Sequence, residues 1–425
     1  MSKAKIATFY TFIAPVILIG LASIFPGCKE PVENAELEFW GVFDDSDIYD
    51  SLIGDFNKEH PEIKIEYYKK INSTYEKDLL EAMASNRGPD IFMLHNTWVP
   101  RYKDKILAAS SELITVKQIQ ENFVDVIYED FVIDNYIFAM PLWVDTLALY
   151  YNKDIFNTNS IPQPPSRWEE FLDDVEKLTV SDERGNIVKA GAVLGTARNI
   201  NRSTDILSLL MLQSGAQMVN EKKDRAIFDQ KIEDFSPGQR ALEFYTDFAN
   251  PLKSVYTWNT RMHYSIDAFY EGKAAMMFNY AYNLPTIQAK APYLNFAVAA
   301  MPQIKGSTKD INYANYWGLT VSSNCQKAKA AWQFIVWLSE KENTQKYLEL
   351  TKRPTARRDL ISWQKDVPGI GIFAEQALTA HSWYQVDNLS IETILADMIE
   401  SVILGEATIE EAIEKSANQI TLLMR

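Results

Sequence analysis

From residue 36 to residue 94 the chain alternates short strand patterns with amphipathic helix patterns. The strand patterns are ELEFWGVF (36–43), HPEIKIEYY (60–68) and DIFML (90–94). Helical periodicity fills the two stretches between them. Strands and helices that alternate at this spacing predict a mostly parallel sheet covered by helices. In such an α/β fold, ligands bind beyond the carboxyl ends of the strands, here in loops 43–47 and 95–100.

Charge and aromatic content narrow the function classes. The 425 residues include 42 basic and 57 acidic side chains, which gives a formal net charge of −15. A nucleic-acid-binding protein needs a basic face to neutralise phosphates, so we exclude nucleic acid as a partner. Aromatic residues make up 12% of the chain, and we expect some of these rings at a surface or cleft.

The first 28 residues have the pattern of an export signal. Lys3 and Lys5 precede an uncharged apolar run from residue 6 to residue 25, which is followed by Gly27-Cys28. This ending is similar to a bacterial lipoprotein cleavage box, in which the cysteine becomes the lipidated N-terminus. We therefore expect a signal segment at 1–28, lipidation at Cys28 and a linker at 29–35. The alternative is an uncleaved membrane anchor. Both interpretations place the folded part outside the cytoplasm, tethered to a membrane.

Three segments combine an extended apolar strand with a proline or a helix break, at 139–145, 299–302 and 351–354. If each of them crosses between two lobes, the chain forms a two-lobed clamp from discontinuous segments. The predicted first lobe comprises 36–142 with 300–352. The predicted second lobe comprises 143–299 with 353–425.

Signatures of catalysis are absent from the sequence. It contains no HExxH, G-x-S-x-G, Walker A or glycine-rich dinucleotide motif. The four histidines have no metal-ligand spacing, and Cys325 has no partner if Cys28 carries lipid. We expect no catalytic residue, no metal and no cofactor, which favours a binding protein.

Six segments of the chain together resemble a known family. They are RGPDIFMLHNTWV (87–99), PLWVDTLALYYNKDIF (141–156), PPSRWEEFLDDVEKLT (164–179), DAFYEGKAAMMFNYAY (267–282), ANYWGLTVSSNCQKAKAAWQFIVWLSE (314–340) and RPTARRDL (353–360). In this order and spacing the chain resembles the extracellular solute-binding proteins (family 1) of bacterial ABC importers, in the branch that includes maltose-binding protein. The resemblance implies a type II periplasmic-binding-protein-like fold of two α/β lobes joined by hinge strands. It also implies a monomer that binds a sugar or oligosaccharide between the lobes and delivers it to permease subunits.

The resemblance suggests sugar contacts in the first lobe and at the hinge. Asp44 and Asp45 follow the first strand, where family members often place polar contacts, and Trp98 follows the third. The family commonly has an acid or amide at the position of Asp145, contacting solute hydroxyls. We expect Asp145 on the cleft floor, reachable by solute and water. Trp317 departs from the small residues that are usual at its position and is a candidate stacking ring.

The second lobe supplies four more candidates. Tyr280 and Tyr282 occupy the place where the family presents a stacking aromatic, and Asn279 offers an amide beside them. Trp383 matches the region where a late aromatic meets the sugar. Sugars have apolar ring faces and hydroxyl edges, so flat rings together with acids and amides fit such a solute.

Other solutes and one other class remain open from the sequence. The same scaffold binds polyamines, glycerol phosphate or ferric ion in other proteins, and the adjacent Tyr150 and Tyr151 are a possible iron pair. Neighbouring residues of a strand point to opposite faces, which favours packing for these two tyrosines. A secreted carbohydrate-active enzyme is the remaining alternative.

Overall fold

The computed structural model describes residues 34–424. The strands in chain order are β1 (Ala35–Gly41), β2 (Ile63–Lys69), β3 (Ile91–His95), β4 (Ile106–Leu107), β5 (Val132–Ile133), β6 (Tyr136–Ile137), β7 (Met140–Pro141), β8 (Asp145–Thr146), β9 (Ala148–Asn152), β10 (Val180–Ser181), β11 (Ile187–Ala192), β12 (Ala274–Asn279), β13 (Phe296–Ala299), β14 (Asn312–Asn315), β15 (Trp317–Ser322) and β16 (Ala380–His381).

The α-helices in chain order are α1 (Ser46–Glu59), α2 (Tyr75–Ala84), α3 (Val99–Tyr102), α4 (Val116–Asn122), α5 (Asp125–Phe131), α6 (Lys153–Thr158), α7 (Trp168–Leu178), α8 (Ser203–Gln213), α9 (Pro237–Asp247), α10 (Ser265–Tyr270), α11 (Leu284–Lys290), α12 (Ala328–Ser339), α13 (Lys341–Thr351), α14 (Arg358–Gln364), α15 (Gly371–Gln376), α16 (Asn388–Ile403) and α17 (Ile409–Leu423). Short 3₁₀ turns lie at Asn96–Trp98, Ala281–Asn283 and Ala377–Thr379.

The first large sheet follows from the strand and helix patterns at the start of the chain. Its order is β2-β1-β3-β15-β4, and β7 also pairs with β15. Helix α1 covers it because Tyr49, Leu52, Ile53 and Phe56 recur on one face and are buried. Strands β1, β2 and β3 are parallel, whereas β15 is antiparallel to β3, β4 and β7.

The second large sheet has the order β10-β11-β12-β9-β13. Its β11–β12 pair is parallel, and its other three pairs are antiparallel. The prediction of a two-lobed α/β fold is confirmed, but the sheets are mixed rather than mostly parallel. Strands β9 and β15 account for most of the antiparallel pairs, because each is the first strand after the chain crosses from the other lobe and runs against its neighbours; the remaining pair, β10–β11, joins strands that are consecutive in the chain.

A small third sheet links the lobes. Strand β14 pairs antiparallel with β8 and parallel with β16. Its register places Asn315 opposite Asp145 and Ala314 opposite Thr146. Two extended crossings that share hydrogen bonds can bend together, which is the arrangement expected of a hinge.

Two hydrophobic cores divide the chain into its lobes. The core residues change from the first core to the second between Val144 and Leu147, and back between Tyr313 and Ala314. Residues 300–313, predicted for the first lobe, contribute Met301 and Tyr313 to the second core. The segment 353–361, predicted for the second lobe, packs Leu360 into the first core. The prolines near 302 and 354 therefore precede the crossings. The first two crossings are extended strands, whereas the third lies between Ile361 of α14 and Ile370, just before α15.

Close packing at helix α9 gives a test of the second lobe. A Cβ atom at the buried Gly238 would lie 2.0 Å from the Phe228 carbonyl oxygen. We expect Gly238→Ala to destabilise the protein by about 1–3 kcal/mol through overpacking. The matched control is Gly54→Ala, since nothing lies within 4 Å of a Cβ at this exposed position of α1. Alanine there should stabilise by about 0.5–1 kcal/mol. Urea denaturation of both variants measures the difference, and equal stabilities would contradict the packing of α9 against Phe228.

Candidate functional site

The loop after β1 contains one buried and one exposed acid. Asp44 is buried, and its two carboxylate oxygens accept hydrogen bonds from Arg353 Nη2 and the Tyr347 hydroxyl, both at 2.7 Å. The guanidinium of Arg353 lies 4.4 Å from the ring centre of Trp143. Asp45 is exposed and forms an ion pair with Lys69 at 2.6 Å. Asp44 thus fastens the segment after α13 to the first lobe, while Asp45 lies on the surface.

The buried Asp44–Arg353 pair predicts a large loss of stability when one partner is removed. Arg353→Ala would leave a buried carboxylate without its cation, and we expect a loss of about 3–5 kcal/mol. The exposed ion pair of Arg101 with Glu76, 3.0 Å apart, provides the control. Arg101→Ala should cost about 1 kcal/mol or less. Denaturation in urea distinguishes the two, and a loss at Arg353 no larger than at Arg101 would contradict a buried, coupled pair.

Aromatic side chains of the first lobe form a continuous wall after β3 and at the start of β15. Trp98 stacks on Tyr102, with ring centres 5.5 Å apart and planes at 14°. Trp317 meets the Trp98 ring edge-on at 4.9 Å and Phe43 at 5.3 Å. Trp98 is buried, and Trp317 is half-buried. The structure therefore brings the two predicted tryptophans of this lobe into direct contact.

His95 lies at the end of β3 beside this wall. Its Nδ1 atom is 2.8 Å from the Thr97 hydroxyl, and its Nε2 atom is 3.4 Å from the Asn315 amide oxygen. Burial lowers the pKa of His95 to about 4, so the ring is neutral at physiological pH. A neutral ring can accept or donate a hydrogen bond without adding charge to the cleft.

The second lobe faces the wall with two stacked tyrosines and an ion pair. The rings of Tyr280 and Tyr282 lie 5.9 Å apart with planes at 19°. The Tyr280 hydroxyl donates to Asp205 at 2.8 Å, and Arg202 Nε donates to the Tyr282 hydroxyl at 3.1 Å. Tyr280 is completely buried, whereas Tyr282 is 43% exposed. Of the two predicted tyrosines, Tyr282 therefore has the ring surface that a solute can reach.

Asp145 is buried at the junction of the lobes. Its carboxylate accepts backbone N–H hydrogen bonds from Thr146 at 2.9 Å, Ala281 at 2.9 Å and Tyr282 at 3.1 Å. Burial raises the pKa of Asp145 to about 7, against the opposing effect of these three bonds. The expected contact with water is therefore wrong for this conformation, in which Asp145 is 5% exposed. Its position fixes the turn that carries Tyr282.

The last two predicted residues lie apart from each other. Asn279 is fully buried, and its amide oxygen accepts from the Tyr280 backbone N–H at 2.9 Å, which orders the turn after β12. Trp383 lines a cavity of about 200 Å³ that also includes Asn96, Asp130 and Tyr384. Since Asn96 belongs to the loop after β3 and Trp383 packs in the second core, this cavity lies between the lobes.

Several residues of the cleft were not singled out from the sequence. They are His95, Arg202, Asp205, Asn315 and Glu392. In the loop after β11, Arg198 is exposed and paired with Asp397, and Asn199 donates to backbone carbonyls, so neither of them resembles Arg202 in its surroundings. Sequence spacing could not show which of Arg198 and Arg202 lies closer to the tyrosines, because both are polar residues of the loop that precedes α8.

Two acids of the second lobe, Asp205 and Glu392, interact electrostatically with Arg202. Burial raises the pKa of Glu392 to about 7, with Asp205 adding to the rise and Arg202 opposing it. Burial also raises the pKa of Asp205, which lies 4.0 Å from Arg202 Nη1. Both acids therefore keep protons to higher pH than exposed acids do.

The raised pKa of Glu392 predicts a pH dependence of stability. The folded protein keeps Glu392 protonated up to about pH 7, whereas the unfolded chain loses this proton near pH 4.5. This contribution to stability is present below pH 4.5 and is lost as pH rises towards 7. Glu392→Gln stays neutral, so we expect it to lose less stability than wild type between about pH 5 and pH 8.

Thermal unfolding at the two pH values measures this effect. Glu183→Gln, in an exposed turn, is the control and should follow wild type. A Glu392→Gln variant that loses as much stability as wild type over this range would contradict the raised pKa.

Residues 34–424 contain no candidate metal cluster and no candidate membrane span. No group of three or more His, Cys, Asp or Glu side chains in that range is placed to hold a metal ion. No helix in the same range is long and apolar enough to cross a membrane. The predicted signal segment and Cys28 lie outside the described residues.

The two lobes, their hinge and the aromatic cleft agree with a comparison with known families. Residues 41–345, well over half of the chain, match the model of the bacterial extracellular solute-binding protein family. The chain belongs to this family.

Curated relatives align with most of this solute-binding protein. The galactooligosaccharide-binding protein of Bacillus subtilis is 21% identical, over 98% of this chain and 97% of its own. The maltotriose-binding protein of Pyrococcus abyssi is 23% identical, over 71% of this chain and 62% of its own. The sn-glycerol-3-phosphate-binding periplasmic protein of Pectobacterium atrosepticum is 24% identical, over 88% of this chain and 87% of its own.

Solved structures share the fold of this solute-binding protein. The cyclic α-maltosyl-1,6-maltose binding protein of Arthrobacter globiformis superposes with a TM-score of 0.76, at 17% identity, over 92% of this chain and 98% of its own. A cyclo/maltodextrin-binding protein in complex with maltotetraose gives 0.75, at 17% identity, over 93% and 98%. These matches agree with the two-lobed fold described above.

Proposed function

We propose that this protein is the solute-binding component of an ABC importer and binds a neutral sugar or oligosaccharide between its lobes. The observation that carries the proposal is that each lobe places aromatic rings beside groups that contact the other lobe. In the first lobe, Trp98 donates to Asn388 and packs on Trp317. In the second lobe, Trp383 lines a cavity with Asn96, and the turn of Tyr282 is held by Asp145. Rings of this kind fit the apolar faces of a sugar, and the amides and hydroxyls between them fit its edges.

The charges of the cleft favour a neutral solute. Arg353 is paired with Asp44, Arg202 with Asp205 and Tyr282, and Arg101 with Glu76 and Asp387. Because each of these arginines already has a carboxylate nearby, its attraction for an anionic solute is reduced. A neutral polyol can add hydrogen bonds to the same groups without separating the pairs.

Glycerol phosphate is the second candidate solute. A relative that binds sn-glycerol 3-phosphate covers 88% of this chain, so the phosphate ester has to be part of any ligand test. Ferric ion has less support, because the Tyr150 hydroxyl donates to the Tyr280 carbonyl oxygen at 2.6 Å and the Tyr151 ring packs on Phe156. The two tyrosines thus have separate partners. Polyamines and a catalytic role have no supporting observation in the cleft.

The proposed mechanism is closure of the lobes around solute. Direct contacts across the cleft already join the lobes, since Trp98 Nε1 donates to Asn388 at 2.9 Å and Arg101 lies 3.8 Å from Asp387. A solute that touches both lobes stabilises the closed arrangement by its additional contacts. We propose that a membrane permease recognises this closed form.

The proposed location is the extracytoplasmic face of the membrane. Lipid on Cys28 would hold the folded part there through residues 29–35, which precede or begin β1. We further propose that the protein acts as a monomer, with Asp145 and Asn279 supporting the solute-binding turn after β12.

A ligand panel tests the sugar proposal. We expect maltotriose or a galactooligosaccharide to raise the melting temperature, because a ligand at about 100 times its dissociation constant adds roughly 2.7 kcal/mol of stability. Calorimetric titration of the same compounds confirms binding. A rise with sn-glycerol 3-phosphate or spermidine, and none with any mono- or oligosaccharide, would reject the proposal. Hydrolysis of any glycoside by the purified protein would establish the enzyme alternative.

A further inference from the structure

Arg202 has an unusual backbone conformation for a residue with a side chain. It immediately precedes the eleven-residue helix α8, and its φ and ψ angles are 63° and 27°. In this left-handed region the Cβ atom crowds the following carbonyl oxygen, which costs about 1–2 kcal/mol. Glycine would adopt the same angles without this cost. An arginine that occupies such a position requires an explanation from its side chain.

The guanidinium of Arg202 lies among groups that hold it in one orientation. Its central carbon is 5.7 Å from the ring centres of both Tyr280 and Tyr282. Its Nε atom donates to the Tyr282 hydroxyl at 3.1 Å, and its Nη1 atom is 4.0 Å from the Asp205 carboxylate. A cation fixed by two rings and an acid loses little further conformational freedom when it binds a ligand.

The same side chain remains partly open to solvent on the surface of the second lobe. It is 31% exposed, whereas that of Asp205 behind it is 10% exposed. Arg202 lines a cavity of about 310 Å³ together with Thr204, Tyr264 and Glu392. Of its five N–H donors, the one on Nε is used on Tyr282, so a fork of donors is available on the exposed side.

We propose that Arg202 binds the solute directly and that its exposed N–H groups donate to two adjacent hydroxyl oxygens of a neutral sugar ring lying against Tyr282. This inference rests on the proposed function and names a residue that selects the solute. The planar fork of an arginine matches two neighbouring oxygen acceptors, which the single ammonium of a lysine does not. Asp205 is already paired with the guanidinium, so a phosphate ester would compete with this carboxylate, whereas an uncharged polyol would not.

Three substitutions at this position and one nearby control test the inference. Arg202→Gln removes the charge, Arg202→Lys keeps it without the fork, and Arg202→Gly removes the side chain together with the backbone strain. The control is Arg261→Gln, in an exposed turn that contacts the same loop through Asn199 and that does not line this cavity. Calorimetric titration with maltotriose, a galactooligosaccharide and sn-glycerol 3-phosphate gives the affinities, and thermal unfolding reports the fold.

We expect all three Arg202 variants to bind the preferred sugar of the wild type about tenfold or more weakly, as for loss of charge-assisted hydrogen bonds. Arg202→Lys keeps a cation beside the buried Asp205, so its melting temperature should stay close to wild type. Arg202→Gln and Arg202→Gly remove that cation and should melt at lower temperature, with Arg202→Gly at or above Arg202→Gln. Arg261→Gln should bind and melt like wild type.

Four other outcomes would count against these proposals. Three of them would overturn the role of Arg202, and the fourth would overturn the proposed function. If wild type binds a sugar and Arg202→Gln binds it equally well, Arg202 is not a solute contact. If the affinity falls only as far as the melting temperature falls, its role is structural. If wild type binds sn-glycerol 3-phosphate and Arg202→Gln does not, Arg202 is an anion site. If wild type binds no sugar at all, the proposed function itself fails.

Discussion

The pairing of β8 with β14 is the constraint on which the rest of the cleft depends. It sets Asp145 opposite Asn315 at the junction of the two cores. From this register, the Asp145 carboxylate reaches the N–H groups of Ala281 and Tyr282, and Asn315 reaches His95. The next residues of the chain, Tyr316 and Trp317, then enter the first lobe. One short antiparallel ladder thus fixes both the turn that carries Tyr282 in the second lobe and the aromatic wall of the first.

Burial explains the electrostatics of this junction. Asp145, Asp205 and Glu392 all have raised pKa values because each is largely removed from water. Backbone N–H groups offset part of this cost at Asp145, and Arg202 does so at the other two. A buried acid that keeps its proton, or whose charge is already compensated, orients neighbouring groups through hydrogen bonds and attracts a distant cation only weakly. The acidic net charge of the chain therefore says little about the charge of the solute, which depends on these few local pairs.

Sequence reasoning was most successful where local pattern decides the structure. The order of strands and helices up to residue 94, the loops that follow β1 and β3, and the contact-forming aromatics Trp98 and Trp317 could all be read from periodicity and family resemblance. Strand direction in the second sheet could not, because it depends on where the chain re-enters a lobe. Asp44 illustrates the limit for single residues, since its partner Arg353 lies 309 positions away and no spacing rule connects them. Arg202 and Glu392 were missed for the same reason.

Direct contacts between the two lobes influence the affinity of the protein for its solute. Trp98 bonds to Asn388 across the cleft, and Arg101 approaches Asp387 one residue earlier. Such bonds favour closure without touching solute, so they lower the free energy that solute contacts must supply. The apparent affinity of a two-state binding protein scales with the fraction already competent to bind. Residues at the start of α16 can therefore tune affinity independently of the groups that we propose to recognise the solute.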